Sequence, residues 1–133
     1  MASARFRRAA AVLRDRRRAA PVRPYTVAYA ETHDGAAILQ VVPGTLADPA
    51  HSGLLAALCT HYLDWVTVRA IDPDHALTLG REAVADTIAE QHERRGTWDD
   101  DDGTCIVATR LIPAGTELLD LTTDEIDLIA EPA

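Results

Sequence analysis

The densest set of potential cation ligands in the sequence is a run of four aspartates, Asp99, Asp100, Asp101 and Asp102. A calcium loop of the helix–loop–helix type needs Asp at its first position, Gly at its sixth and Glu at its twelfth. With Gly103 placed sixth, Trp98 is first and Thr109 is twelfth, so the pattern fails. We therefore expect a solvated acidic turn, with a weak cation site or an acceptor surface for arginines as alternatives.

The other groups that could do chemistry are scattered. No two of the five histidines are four residues apart, as a helical zinc site requires, and no Cys-x-x-Cys occurs: the histidines are His33, His51, His61, His75 and His92. Neither serine lies in a Gly-x-Ser-x-Gly elbow. Local capping or exposure is therefore expected for the histidines, and no catalytic residue, metal or cofactor is predicted.

Composition indicates a protein of the cytoplasm. Cys59 and Cys105 lie in apolar surroundings, which favours two buried free thiols in a reducing compartment. No apolar run reaches the roughly 18 residues of a membrane span, and no apolar stretch follows the first arginines as a secretory signal would. The chain contains no lysine and is rich in Ala and Arg, a bias typical of a high-GC actinobacterial or phage coding sequence.

Charge divides the chain sharply. Residues 1–24 contain eight arginines and one aspartate, a formal charge of +7, whereas residues 25–133 contain five arginines and twenty carboxylates, a charge of −15. We predict two units: residues 1–24 form a basic Arg/Ala-rich arm with a Pro linker, and residues 25–133 form a single acidic domain.

The basic arm has the composition of a short helix. Alanine and arginine favour a helix over residues 4–20, and Pro21 and Pro24 would end it in an extended linker. Its predicted binding residues are the apolar anchors and the arginines around them: Arg5, Phe6, Arg7, Arg8, Leu13, Arg14, Arg16, Arg17 and Arg18.

Three roles are compatible with the arm. It is a solvated tail, or it docks on an acidic protein surface, or it contacts nucleic-acid phosphates; arginine forks suit carboxylates and phosphates equally. Because Phe6 is its only aromatic residue and the charge of the body repels a polyanion, a protein surface is favoured over nucleic acid.

The central unit of the body is a strand followed by a long helix. Residues 64–71 alternate in polarity and are rich in β-branched and aromatic side chains, which predicts a strand. Asp72 and Pro73 are typical of a helix start. From Pro73 to Arg95 the apolar residues have helical spacing, and Gly96 suits the helix end.

Similar signals predict the remaining elements. The strands 25–31 and 37–42 form a hairpin around an Asp-Gly turn. A helix beginning near Asp48-Pro49 runs to about Leu63. After it and the central unit come a strand over 105–112 and a last helical turn, which the capping-box residues Thr122 and Glu125 introduce.

The predicted fold is α+β: a mainly antiparallel sheet in the order β-β-α-β-α-β, with two helices on one face, a small C-terminal appendage and the basic N-terminal helical arm. Residues 107–118, followed by 121–126, resemble the strand, Pro-Ala-Gly turn and Leu-Thr-x-Asp ending of SAF-type β-clip domains. That resemblance lies within the 20 residues from 107 to 126, and no function is transferred with it.

These observations predict a small, non-catalytic interaction or assembly protein of the kind found in phage or mobile elements. Its arm would dock on an acidic surface, for which Asp99 to Asp102 are the acceptor candidates, of a second copy or another protein. The alternatives are a nucleic-acid-associated accessory or regulatory protein and, third, a small metal- or acid/base-dependent enzyme. No membrane association is expected.

Overall fold

The computed structural model describes residues 21–95 and 106–132. These residues form four strands, which are β1 (Arg23–Thr32), β2 (Gly35–Pro43), β3 (Asp64–Ala70) and β4 (Ile106–Thr109). They also form the helices α1 (Ser52–Thr60), α2 (Pro73–Arg95) and α3 (Thr123–Ala130). Short 3₁₀ turns lie before α1 and α3, at Pro49–His51 and Leu118–Asp120.

The four strands form one mixed sheet in the order β3-β1-β2-β4. The strand β1 pairs antiparallel with both β2 and β3, whereas β4 pairs parallel with β2. The α+β class predicted from the sequence is therefore confirmed, with a mixed sheet. The β1–β2 hairpin is confirmed as well, because Thr32 pairs with Gly35 across a two-residue turn.

Both predicted Asp-Pro helix starts are confirmed. The Asp72 carboxylate accepts the His75 backbone N–H at 2.7 Å, and α2 begins at Pro73. The Asp48 carboxylate accepts the Ala50 N–H at 2.9 Å, although the chain first makes a 3₁₀ turn there and becomes α-helical only at Ser52. Each carboxylate satisfies an amide that has no partner inside its helix.

One face of the sheet is covered by α2. Its buried row of Ala76, Gly80, Val84 and Ile88 has the i, i+4 spacing of one helix face. Val84 and Ile88 pack on Val27, Tyr29, Ala36, Ile38 and Val107 of the sheet. The predicted apolar stripe of this helix is therefore confirmed.

The opposite face is covered by α1 and the C-terminal segment. Ala28 and Ala30 of β1 and Ala37 and Leu39 of β2 form a second core with residues that follow them in the chain: Ala57, Leu58, Leu63, Ile112, Leu118, Ile126 and Ala130. The C-terminal segment is therefore part of the core rather than an appendage.

This arrangement corrects the expectation of two helices on one face. The helices α1 and α2 lie on opposite faces of the sheet. The physical reason lies in the central strands, since residues 25–30 of β1 and 35–39 of β2 are buried without interruption. A strand that is apolar on both sides needs cover on both faces.

The inward face of α1 also differs from the prediction for Cys59. This helix has two apolar stripes, and the one that contains Leu54, Ala57 and Leu58 packs in the core. Cys59 is an exposed free thiol, and it shares the outer side with the exposed Leu55. The expected burial of Cys59 was therefore wrong, because Leu58 and Cys59 are adjacent on the helix and cannot both face the sheet. Cys105 lies outside the described residues.

The helix α1 ends in a strained turn. Tyr62 has a positive φ of 55°, and its side chain is 93 % exposed. The Leu63 N–H donates to the Leu58 carbonyl at 2.9 Å, which is the long hydrogen bond of a Schellman ending. A left-handed residue at this position is usually glycine, since a Cβ costs about 1 kcal/mol there.

Replacing Tyr62 with glycine is expected to raise the free energy of unfolding by about 0.5–1 kcal/mol through release of this strain. Tyr62→Ala is the control, because it removes the same exposed ring but keeps a Cβ, and it should leave stability near that of the wild type. Chemical denaturation of the three proteins measures the difference. Equal stability of the glycine and alanine variants would show that the turn is unstrained.

Candidate functional site

The residues predicted from the sequence to bind a partner lie outside the described residues. This holds for the whole set in the basic arm, from Arg5 to Arg18, and for the acceptor candidates Asp99 to Asp102. Docking of the arm on these aspartates therefore stays a prediction, and the candidate surfaces below belong to residues 21–95 and 106–132.

Histidines take local structural roles in the described body. The His75 ring nitrogen Nδ1 accepts the Ile71 N–H at 3.2 Å, and the His51 ring lies within hydrogen-bond distance of the Pro43 carbonyl oxygen. His61 is buried, and its Nδ1 pairs with the Thr123 hydroxyl at 2.8 Å, which links the end of α1 to the start of α3. No three His, Cys, Asp or Glu side chains are grouped as metal ligands within the part of the chain that the structure describes.

A small cleft opens where the second half of β2 meets the start of α1 and the second 3₁₀ turn. It measures about 250 Å³, and its polar lining is Gln40, His51 and Glu117. The register of β1 and β2 slips at Leu39, which is the extra residue of a β-bulge. The cleft is smaller than the roughly 300 Å³ at which small-molecule sites begin, and the His51 Nε2 is already engaged by the backbone of β2.

The most strongly charged surface follows β4. Residues 111–132 contain no arginine and six carboxylates, all of them on exposed residues: Glu117, Asp120, Asp124, Glu125, Asp127 and Glu131. We call these six the C-terminal acidic surface. Glu131 accepts the His33 N–H at 2.6 Å, and Glu125 closes the cap of α3. Asp120, Asp124 and Asp127 form no ion pair with any described residue.

The helix α2 has a second acidic row on its solvent side. Asp74, Glu82, Asp86 and Glu90 are exposed and fall on one i, i+4 line. The helix contains three arginines, of which Arg94 pairs with Glu90 at 2.7 Å and Arg81 donates to the Thr109 hydroxyl at 2.7 Å. The C-terminal acidic surface therefore differs from the acidic row of α2, because residues 111–132 contain no arginine and α2 does. This absence of arginine after residue 110 is visible in the sequence and could have identified the surface.

The capping box of α3 is complete, as the sequence predicts. The Thr122 hydroxyl accepts the Glu125 N–H at 3.1 Å, and the Glu125 carboxylate accepts the Thr122 N–H at 3.0 Å. The Thr122 backbone N–H chiefly, and the Thr122 side-chain hydroxyl to a smaller extent, hydrogen-bond to the Glu125 carboxylate and lower the pKa of this carboxyl. Because the pKa of Glu125 is lower in the folded state, the cap stabilises α3 fully at pH values above the unfolded-state pKa. This stabilisation is lost as the pH falls through the folded-state pKa.

We expect an NMR titration to find the pKa of Glu125 below the ordinary glutamate value. Thr122→Ala keeps the backbone donor and should raise this pKa in part. Thr122→Pro removes the backbone donor as well, fits the φ of −77° at this position, and should raise the pKa further. An equal pKa in both variants would contradict the assignment of the shift to the backbone hydrogen bond.

No helix within the described ranges is long and apolar enough to cross a membrane. Comparison with family models, curated proteins and solved structures finds no match for this chain. The resemblance of residues 107–126 to β-clip domains therefore has no family match behind it.

Proposed function

We propose that the protein is a small, non-catalytic interaction or assembly protein of the cytoplasm, whose basic arm docks on the acidic surface of a second copy or of another protein. The observation that carries the proposal is the exposure of the C-terminal acidic surface, together with the +7 charge of residues 1–24. This surface extends the acceptor beyond Asp99 to Asp102, which were the candidates from the sequence.

Several carboxylates are needed for such docking. A single exposed ion pair stabilises by about 0–1 kcal/mol, so seven arginines between residues 5 and 18 must act together with the apolar anchors Phe6 and Leu13. Asp120, Asp124 and Asp127 suit this role, because no described cation neutralises them. Glu125 and Glu131 contribute charge but are held by hydrogen bonds of the fold.

We expect light scattering of the full chain at low salt to give a mass above 14.4 kDa that falls as salt is raised. Salt screens exposed charges over about 10 Å at 0.1 M, so docking of arm on body must weaken. Salt dependence is complemented by substitutions on the acceptor surface. Replacing Asp120, Asp124 and Asp127 with asparagine should weaken the association. The matched control replaces Glu82, Asp86 and Glu90 of α2 with glutamine, and it should keep the low-salt mass of the wild type.

The arm itself is tested in the full chain by two sets of substitutions. Replacing its seven arginines between residues 5 and 18 with glutamine should abolish the salt-sensitive association, and replacing them with lysine should preserve much of it. If the arm instead binds nucleic acid, duplex DNA of random sequence will bind the wild type with an affinity that falls steeply as salt is raised. The three asparagine substitutions will then strengthen DNA binding, because they remove negative charge that repels the phosphates. A salt-independent mass that neither set of variants changes would refute docking between arm and body.

A further inference from the structure

The outer edge of β3 is regular and unpaired within the described residues. The strand stands at one end of the sheet, and its seven residues pair with β1 without a register shift. None of the described backbone groups bonds to its other side. Edge strands are commonly protected by proline, a bulge, short length or charged side chains. The strand β4 has only four residues, whereas β3 has seven, contains no proline or bulge, and carries charges only at Asp64 and Arg69. Such an edge is a template for a further strand.

The backbone groups that point outward from this edge can be identified from Pro24. The Pro24 carbonyl accepts the Gly44 N–H at 2.8 Å, so the backbone of Pro24 faces β2 and not β3. Pro24 lies opposite Arg69 in the β1–β3 register. Arg69 therefore has no backbone bond to β1, and because orientation alternates along a strand, Trp65, Thr67 and Arg69 all present their N–H and C=O groups outward.

The side chains of these same residues are accessible. Trp65 is 43 % exposed, and Thr67 and Arg69 are exposed too. The alternate residues Val66, Val68 and Ala70 pack toward α2. The edge thus offers free backbone groups and, on the face away from α2, a polar and aromatic row.

We propose that β3 pairs antiparallel with β3 of a second copy, about a two-fold axis through Thr67. In this register Thr67 lies opposite Thr67 of the second copy, and Trp65 lies opposite Arg69 of the second copy. Each of these opposed pairs joins two outward-facing residues and exchanges two N–H···O bonds. The two sheets become one continuous sheet, and the interface is isologous, as a two-fold axis requires.

Side-chain chemistry supports this register. Each Arg69 meets a Trp65 ring, which is a favourable cation–π pair, and it does not meet another arginine. Val66 lies opposite Val68 on the α2 face, and the threonines can hydrogen-bond across the axis. A two-fold axis through Val66 would leave Arg69 without an outward-facing residue of the second β3 opposite it. An axis through Val68 would leave Trp65 without one. The sequence of β3 is thus self-complementary, which argues for a second copy over a foreign strand.

This dimer is distinct from docking of the arm. Each chain carries a net charge of −8, so the two bodies repel each other. Added salt screens that repulsion and should tighten pairing through β3 or leave it unchanged, whereas it should loosen docking of arm on body. The seven glutamine substitutions in the arm should not abolish pairing through β3.

The test uses the symmetry of the axis. In the full chain, Thr67→Glu and Thr67→Lys each place two like charges directly opposite one another. Sedimentation equilibrium at about 0.15 M salt, where the screening length exceeds the separation of such a pair, should therefore show each variant dimerising about fivefold more weakly than the wild type. An equimolar mixture places Glu opposite Lys and should recover wild-type affinity as a heterodimer. Leu128→Glu and Leu128→Lys, at an exposed site of α3, are the matched controls and should dimerise normally.

Trp65→Ala is a second variant that adds no charge, and it should weaken the dimer at least tenfold through loss of both Trp–Arg contacts. A wild-type mass of one chain at every concentration and salt would refute the proposal. So would wild-type dimerisation by both Thr67 variants, or a mixture no tighter than its components. If Thr67→Lys weakens association and Thr67→Glu strengthens it, the occupant of the edge is the arginine-rich arm and not a second β3.

Discussion

Replacing Ile126 with alanine is expected to lower the free energy of unfolding by about 2–5 kcal/mol. Ile126 is 1 % exposed, although it lies in the last helix of the described chain. It packs in the core that joins Leu58 of α1 and Leu118 of the second 3₁₀ turn to the sheet. Truncation removes apolar contacts and leaves a cavity that surrounding side chains from three segments cannot readily fill.

The matched control is Leu128→Ala, two residues away in the same helix. Leu128 is 64 % exposed, so its truncation should change stability by no more than about 0.5 kcal/mol. Urea denaturation of both variants and the wild type measures the contrast. A similar decrease in the free energy of unfolding for Ile126→Ala and Leu128→Ala, or a small decrease for Ile126→Ala, would show that α3 is a peripheral appendage.

Replacing Gly80 with alanine is expected to destabilise the protein by about 1–3 kcal/mol, despite the higher helix propensity of alanine. A Cβ at position 80 would lie 2.8 Å from one Val27 methyl and 3.0 Å from the other. Val27 is completely buried between β1 and α2, so its side chain cannot yield to solvent. The added methyl must push the helix from the sheet or force Val27 from its rotamer.

Gly53 provides a control of opposite sign. It is also a helical glycine, but a Cβ there meets nothing within 4 Å. Gly53→Ala should therefore raise stability by up to about 1 kcal/mol, since only the propensity term remains. The double variant Val27→Ala with Gly80→Ala should lose less than the sum of the single losses, because truncation of Val27 removes the contact. Losses that simply add would show that Gly80 and Val27 do not clash.

The parts of the fold that sequence predicted well depend on neighbours in the chain. The Asp72 and Asp48 caps, the Thr122–Glu125 box and the tight turn before Gly35 each place donors and acceptors within four residues of one another. The helical row of α2 follows from the 3.6-residue period alone. Such features require no knowledge of what packs against them.

The candidate site divides in a similar way. The charge difference between arm and body can be counted in the sequence, and the run without arginine after residue 110 is visible there too. Docking of one on the other remains a prediction, because the arm and Asp99 to Asp102 lie outside the described residues. The edge at Trp65, Thr67 and Arg69, which no other described strand pairs with, could not be predicted from alternation, because alternation identifies a strand but not its neighbours.

By itself, the sequence determined the α+β class, the helix caps, the hairpin and the charge division of this protein, since these depend on local hydrogen bonding, periodicity and composition. Tertiary structure alone decided which stripe of α1 turns inward, so that Leu58 is buried and Cys59 is exposed. It also decided that α1 and α2 lie on opposite faces, that α3 completes a core, and that β3 is an edge. The reason is that these outcomes depend on which apolar surfaces are covered by segments distant in sequence, and no local pattern encodes that pairing.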